Sequence, residues 1–417
     1  MKRQRKSWVF RQVCGFLMVG VVGVWPLSGF GQIPSTSGVA SGPAIEEDSV
    51  TFTPASYQDL PGWEKEKVGR FLVALSTQCQ YFLAKPSNSP LGNPLGGAPF
   101  LAARSGSTAY WNGACAALKF VHAGDEKAAR EFVERWFKPY RVSGEGQALV
   151  TGYFEPEIRG SLYRQGLYQI PVYARPPDLK TVVATDGSKV SGSWQNGTFV
   201  PYWSRAQINS GVLSGRQLEL LWVADPVDLF FLQIQGSGRV LLEDGRTVRL
   251  AYAGKNGQPY VPIGRVLVQQ GALKSEEVSM QTVARWLKQH SKQARQIMEQ
   301  NPSYVFFRVV EGSATAWQGA PGTLGVGLIP GRSAAVDPRY LPLGSLLWVS
   351  THVPSLKTGQ QKSWSHLVLA QDTGENIKGP ERIDLYMGWG EKAAWKAGYL
   401  QSEGAVYVLV PRQPKTP

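Results

Sequence analysis

An α+β protein with a β-barrel core is what the sequence predicts, on three observations. From about residue 57 to 140, apolar residues recur at helical spacing. The pattern then changes to alternating runs rich in β-branched and aromatic residues, which favour strands. After a return to helical spacing over 261–300, the chain from 303 onward reads as short strands between Gly and Pro turns, which suits a barrel or sandwich.

"MKRQRKSWVFR" carries five cationic residues and no acid, and is followed by the apolar run "VCGFLMVGVVGVW" and the small, turn-forming "PLSGFGQ". That is the layout of a secretory signal, assigned to 1–32, and the run is short for a membrane span. A retained anchor is the other reading of the same residues. Cys14 lacks the Leu-x-Gly-Cys context of lipid attachment, so a lipoprotein anchor is not supported. Residues 33–50 are small, polar and proline-bearing and read as a flexible leader.

Amphipathic helices are expected over 63–82, 107–122 and 127–137, with the loop "NSPLGNPLGGAP" between the first two. Cys79 lies on the apolar face set by Val68, Phe71, Leu72 and Leu75, and Cys115 on that set by Trp111, Ala114 and Leu118. In an oxidising compartment the two cysteines are expected to pair and pin the helices together; two buried free thiols are the alternative. "QALVTGYFEPEIRGS", "YQIPVYARP", "LFFLQIQGSGRVLLEDGRTVRLAYAGKNG" and "SYVFFRVVEG" read as strands, the third with an Asp-Gly hairpin turn. Ile263, Val266 and Leu267 mark a short helix ending at Gly271; Met280, Val283, Ala284 and Leu287 begin the next.

Charge and composition narrow the function classes. Loss of the signal would take the formal +13 down by five to +8, still basic, so an anionic partner at the cell envelope is expected. Nucleic acid is disfavoured: there is no zinc-finger spacing, aromatic RNA-binding signature or dense arginine helix. Fourteen Trp and sixteen Tyr suit surfaces that bind amphipathic ligands such as sugars. The four histidines are scattered without ligand spacing, so no metal is expected. No Gly-x-Ser-x-Gly elbow or phosphate-binding loop is present, and no cofactor is expected.

Carboxylates remain. Asp372-Thr373-Gly374 is a single Asp-Thr-Gly, whereas an aspartic protease needs two apposed loops sharing a proton. Asp372 also reads as a plain turn cap. Asp384 sits inside the apolar alternation "RIDLYMGWG", with Ile383 and Leu385 on one face and Asp384 and Tyr386 on the other. An acid partly desolvated there has its pKa pushed upward, as a general acid requires. Asp337 precedes a proline and is therefore held extended or in a turn.

"AVDPRYLPLGS", "AQDTGENIKG" and "RIDLYMGWG", in that order, resemble the three-aspartate segment of bacterial murein-active enzymes. Upstream, "TGYFEPEIRGS", "YQIPVYARPPDL", "FFLQIQGSGRV", "YAGKNGQPYVPIGRVL" and "NPSYVFFR" resemble the membrane-bound lytic murein transglycosylase A family of Gram-negative bacteria, over about 57–412. The resemblance implies a double-psi β-barrel catalytic domain with N-terminal helices (51–152 and 303–413) and a smaller inserted β-rich, glycan-binding domain (153–302). It implies that Asp384 is the catalytic acid, that Asp372 and Asp337 shape and polarise the site, and that the glycan lies between the domains.

It further implies that Tyr153 and Phe154 stack on sugar rings, and that Gln235 and Ser237 meet the glycan where glycines let it approach. Tyr252, Lys255 and Asn256 would meet glycan or lactyl and peptide carboxylates, and Lys378 would join them from between the two acids. The expected partner is the peptidoglycan glycan strand, with other wall-synthesis or wall-degrading proteins as further partners. The expected state is a monomer in the periplasm, with outer-membrane association left open. Two departures stand out: the absent lipid-attachment cysteine, and Glu375 where the family more often has glycine. Two other readings stay open, an expansin-like wall-binding protein and a β-1,4-glycan hydrolase using Asp337 or Asp372 as a second carboxylate.

Overall fold

The computed structural model describes residues 43–47, 49–91, 98–183, 189–310, 319–374 and 376–412. The signal segment, Cys14 and Glu375 lie outside the described residues, as does most of the leader. The end of the expected leader is a strand: Ile45–Glu47 pairs with Val50–Pro54. It is held because Ile45 packs on the core and Glu47 accepts a 2.6 Å hydrogen bond from the Phe100 N–H.

Six strands close on themselves into the central barrel. Their hydrogen-bonded order is Gln401–Pro411, Leu346–Pro354, Gln361–Asp372, Ser333–Ala335, Arg382–Trp389 and Leu149–Glu155, and the last also pairs with the first. Two neighbouring pairs are parallel: Ser333–Ala335 with Gln361–Asp372, and Arg382–Trp389 with Leu149–Glu155. Phe137–Gly144 continues the sheet outward from Gln401–Pro411. Leu346 to Val349 are all buried, as are Leu367 to Ala370, so both faces of these strands are covered. An unbroken apolar run is the corresponding sequence pattern.

The outer cover comes from the N-terminal helices. Val68–Leu83 buries Val68, Phe71, Leu72, Leu75, Cys79 and Phe82, a helical stripe. Its first amides are met by a remote acid, the Glu126 carboxylate, at 2.6 Å from the Val68 N–H and 3.1 Å from the Gly69 N–H. Cys79 and Cys115 form a disulfide that ties this helix to Asn112–Leu118.

A second sheet has the order Val305–Val309, Thr247–Lys255, Gly238–Leu242, Glu157–Ser161, Glu219–Val223 and Ile170–Tyr173. A bridge from Ala174 to Phe307 joins its two ends. Ile158, Val172, Leu221, Val240, Leu250 and Phe307 form its core. Val305–Val309, expected in the barrel, belongs instead to this sheet, while residues 153–155, expected outside the barrel, complete one of its strands.

A further correction concerns 229–235, expected as strand. Pro226–Gln235 is a helix, with the Asp225 carboxylate accepting from the Val227 N–H at 2.8 Å, proline in the first turn, and Gly236 left-handed at its C-terminus (φ 78°). Leu229 and Leu232 face the second sheet, and Val227 and Phe230 face helices Ile263–Gln269, Met280–Gln289 and Ser291–Glu299. A helix apolar on two faces reads as a continuous run, which is why its period was hidden. Among the described residues no helix is long and apolar enough to cross a membrane.

Candidate active site

Asp384 lies on Arg382–Trp389, whose parallel partner Leu149–Glu155 places Thr151 directly opposite it. The Thr151 hydroxyl donates to Asp384 Oδ1 at 2.6 Å. Among the described residues this is the only side-chain or backbone hydrogen bond to the carboxylate, so Oδ2 is left to accept or give a proton. Burial pushes the Asp384 pKa above the ordinary carboxylate value; the Thr151 hydroxyl and the Arg382 charge oppose that, and the Asp372 charge adds to it.

Asp372 is bound on both oxygens. Oδ1 accepts from the Thr323 N–H at 3.0 Å, the Thr323 hydroxyl at 2.9 Å and the Thr373 N–H at 2.9 Å. Oδ2 accepts from the Tyr153 hydroxyl at 2.9 Å. Burial nevertheless raises its pKa, with those donors pulling the other way. Tyr153, its ring 5.4 Å from that of Tyr386, has its own pKa raised by burial and by Asp372.

Asp337 is a different kind of group. It is fully buried, and Arg339 grips it through Nη2 at 2.6 Å from Oδ2 and through its backbone N–H at 3.1 Å from Oδ1. The Gly379 N–H donates to Oδ2 at 2.9 Å. Burial alone would raise its pKa, but these bonds prevail and hold it below the ordinary value. A carboxylate so paired ties the 378–379 turn to the barrel and has no lone pair set aside for chemistry.

The expected binding residues divide. Tyr153 meets Asp372, and Lys378 stands exposed beside Gly379 at the same turn. Tyr252 is about half-exposed (52%) on Thr247–Lys255; Lys255 and Ser237 are partly exposed. Gln235 accepts from the Phe154 N–H at 3.3 Å and reaches the Met280 sulfur at 3.6 Å, so it ties elements together. Two expectations are corrected. Phe154 is buried against Ala393 and Ala397, which leaves no ring face for a sugar. Asn256 is wholly buried, donating to the carbonyls of Trp203 (2.8 Å) and Pro302 (2.9 Å) and accepting from the Tyr304 N–H (2.9 Å). It braces the loop.

Sequence reasoning missed Thr151 and Thr323, because a threonine carries no chemistry until its neighbour is known. It also missed Glu155, a fully buried acid at the end of the Thr151 strand. The Glu-Pro-Glu around it was a signal, since an acid in an apolar strand end calls for a partner. Among the described residues no cluster of His, Cys, Asp and Glu suits a metal ion.

Residues 149–308 match the MltA specific insert domain, and residues 332–410 match the 3D domain, the segment that holds all three aspartates. The membrane-bound lytic murein transglycosylase A of Escherichia coli K12 is 32% identical over 292 residues, covering 69% of this chain and 72% of that protein. The chain belongs to the membrane-bound lytic murein transglycosylase A family. The MltA crystal structure from Neisseria gonorrhoeae has a TM-score of 0.73 at 29% identity, covering 90% of this chain and 94% of that one. The E. coli MltA structure with bound chitohexaose has a TM-score of 0.60 at 27% identity, covering 89% and 94%.

Proposed function

We propose that this protein is a peptidoglycan lytic transglycosylase that cleaves the β-1,4 bond between N-acetylmuramic acid and N-acetylglucosamine without water, with Asp384 as its one acid–base group. The observation that carries the assignment is the contrast among the three aspartates. Asp337 and Asp372 have both oxygens engaged, whereas Asp384 keeps Oδ2 unengaged among the described residues; burial raises its pKa, as it does that of Asp372. Ordinary glycoside hydrolysis uses two working carboxylates; here one is suited to proton transfer.

The reaction needs only that one. Protonated Asp384 gives its proton to the glycosidic oxygen as the bond from C1 of the muramoyl residue breaks. The positive charge that develops at C1 is stabilised by the neighbouring N-acetyl group. The Asp384 carboxylate then takes the proton of the C6 hydroxyl as O6 bonds to C1, which closes a 1,6-anhydro ring and restores the acid. Asp372, held by Tyr153 and Thr323, keeps a negative field beside Asp384 and so favours its protonated form.

We assign the barrel, which we read as a double-psi barrel, to catalysis, and the second sheet with its helices to glycan binding. The chitohexaose bound by the E. coli relative supports a glycan as the ligand. The basic charge and signal-like N-terminus support work on an anionic wall in the periplasm, and the relatives' membrane-bound description supports association with the outer membrane. Mass spectrometry of fragments released from purified murein sacculi tests the reading: ends of 1,6-anhydro-N-acetylmuramic acid are expected, and reducing ends would contradict it.

A further inference from the structure

We propose that Glu155 and Arg239 are positioning residues, forming a buried joint that fixes both the Asp384 strand and the loop holding Asp372. The inference rests on the transglycosylase reading and extends it to residues outside the reacting groups.

Three segments converge there. Glu155, with no exposed side-chain surface, ends the barrel strand that carries Thr151 and Tyr153. Arg239, from Gly238–Leu242 of the second sheet, donates from Nε to Glu155 Oε2 at 3.3 Å. The same guanidinium lies 3.6 Å from the ring centroid of Trp389, which ends the strand carrying Asp384 and is paired with Glu155 after a shift in register. Arginine stacked on indole while bonded to a carboxylate is held in both distance and plane.

The other oxygen of Glu155 reaches the loop. Oε1 accepts a short hydrogen bond from the Ala320 N–H. Gly319 sits so tightly beside it that a Cβ would overlap both Glu155 Oε1 and the Tyr386 hydroxyl. Three residues beyond Ala320, Thr323 gives Asp372 two of its hydrogen bonds. One carboxylate therefore secures the catalytic strand through Arg239 and Trp389, and the Asp372 clamp through Ala320.

Charge explains why the joint must be intact. Arg239 and Arg249 are direct partners across the Gly238–Leu242 and Thr247–Lys255 ladder, and like charges facing each other repel. Glu155 is a buried negative charge beside both, attracting Arg249 as well. Removing its charge weakens an attraction that offsets this repulsion.

The test uses the full chain and three variants, Glu155→Gln, Arg239→Lys and the double variant, with thermal unfolding, binding to sacculi, and kcat and KM for release of 1,6-anhydro ends. Arg239→Lys keeps the charge and loses the planar stack, and Glu155→Gln keeps an acceptor for Ala320 and loses the charge. Each folded single variant is expected to bind sacculi within threefold of the parent while kcat falls at least tenfold. The double variant should fall no further than the worse single one, because the pair acts as a unit. A kcat within twofold of the parent in both folded single variants, or losses that multiply in the double, would overturn the joint. Should a glutamine variant fail to fold, Arg239→Lys alone decides. A parent protein that releases reducing ends would instead overturn the transglycosylase reading, whatever the variants do.

Discussion

Thr151 and Asp384 face each other across two parallel strands, and the Thr151 hydroxyl donates to Asp384 Oδ1 over 2.6 Å. The bond orients the carboxyl group and opposes the rise in pKa that burial causes. Orientation comes from strand pairing, so it costs no mobile loop. Tuning comes from a balance of burial, one hydroxyl, one guanidinium and one neighbouring carboxylate.

Replacing Thr151 with valine removes a donor that favours the ionised form. A hydrogen bond to the charged form lowers a carboxyl pKa, so its loss raises that pKa. Because cleavage starts from protonated Asp384, activity falls as pH rises through its pKa. The alkaline limb of kcat/KM should therefore move to higher pH in Thr151→Val. A limb that stays in place or moves down would contradict the assigned tuning.

Asp372→Asn acts in the opposite direction. The Asp372 charge raises the Asp384 pKa, so its removal should move the alkaline limb to lower pH. The amide oxygen still accepts from Thr323 and Thr373, but its NH2 meets the Tyr153 hydroxyl where a carboxylate oxygen accepted, so the Tyr153 contact should loosen and kcat fall by roughly 10²-fold. Measuring the pH profile and kcat together separates the two effects.

How far the sequence revealed this can be judged residue by residue. The three aspartates were recognisable by motif and Asp384 by its place in an apolar alternation. The cysteine faces followed from helical spacing, as did the helices that carry them. Strand pairing was not legible: nothing local says that Gln401–Glu403 returns to Leu149–Thr151 to close the barrel, or that Thr151 will face Asp384. Phe154 and Asn256 looked like ligand contacts because exposure is decided by distant segments, by Ala393 and Ala397 for one and Trp203, Pro302 and Tyr304 for the other. Helix 226–235 was misread although its Asp-Pro start and Gly end were present.

Stability should depend on pH through Glu66. Its buried carboxylate meets Arg332 Nη1 at 2.6 Å and His366 Nδ1 at 2.6 Å. Burial would raise its pKa, yet the His366 and Arg332 interactions outweigh that and lower it. A depressed folded pKa contributes stability above the unfolded value of about 4.3, and that stability is lost as pH falls through the lower folded value. Urea unfolding from pH 7 to pH 3 should show this loss in the parent and a flatter profile in Glu66→Gln. Removing one partner of such a buried group should cost roughly 3–5 kcal/mol at pH 7. Equal pH profiles would contradict the role of Glu66.

The Cys79–Cys115 bridge has a sequence separation of 36. In the chain-entropy account, a loop of this size contributes roughly 3–4 kcal/mol. Reduction should lower Tm clearly and release two titratable thiols. An unchanged Tm with both thiols free would show that helix packing alone holds Val68–Leu83 in place.

The most direct test of the central claim is Asp384→Asn, assayed on purified sacculi by release of 1,6-anhydro muropeptides, with folding checked by thermal unfolding. The amide keeps the size of the side chain and can still accept from Thr151, but it neither gives nor takes the proton. A folded variant that still binds sacculi and loses turnover by about 10³-fold or more is the expected result. A folded variant with activity within tenfold of the parent would contradict Asp384 as the single acid–base group.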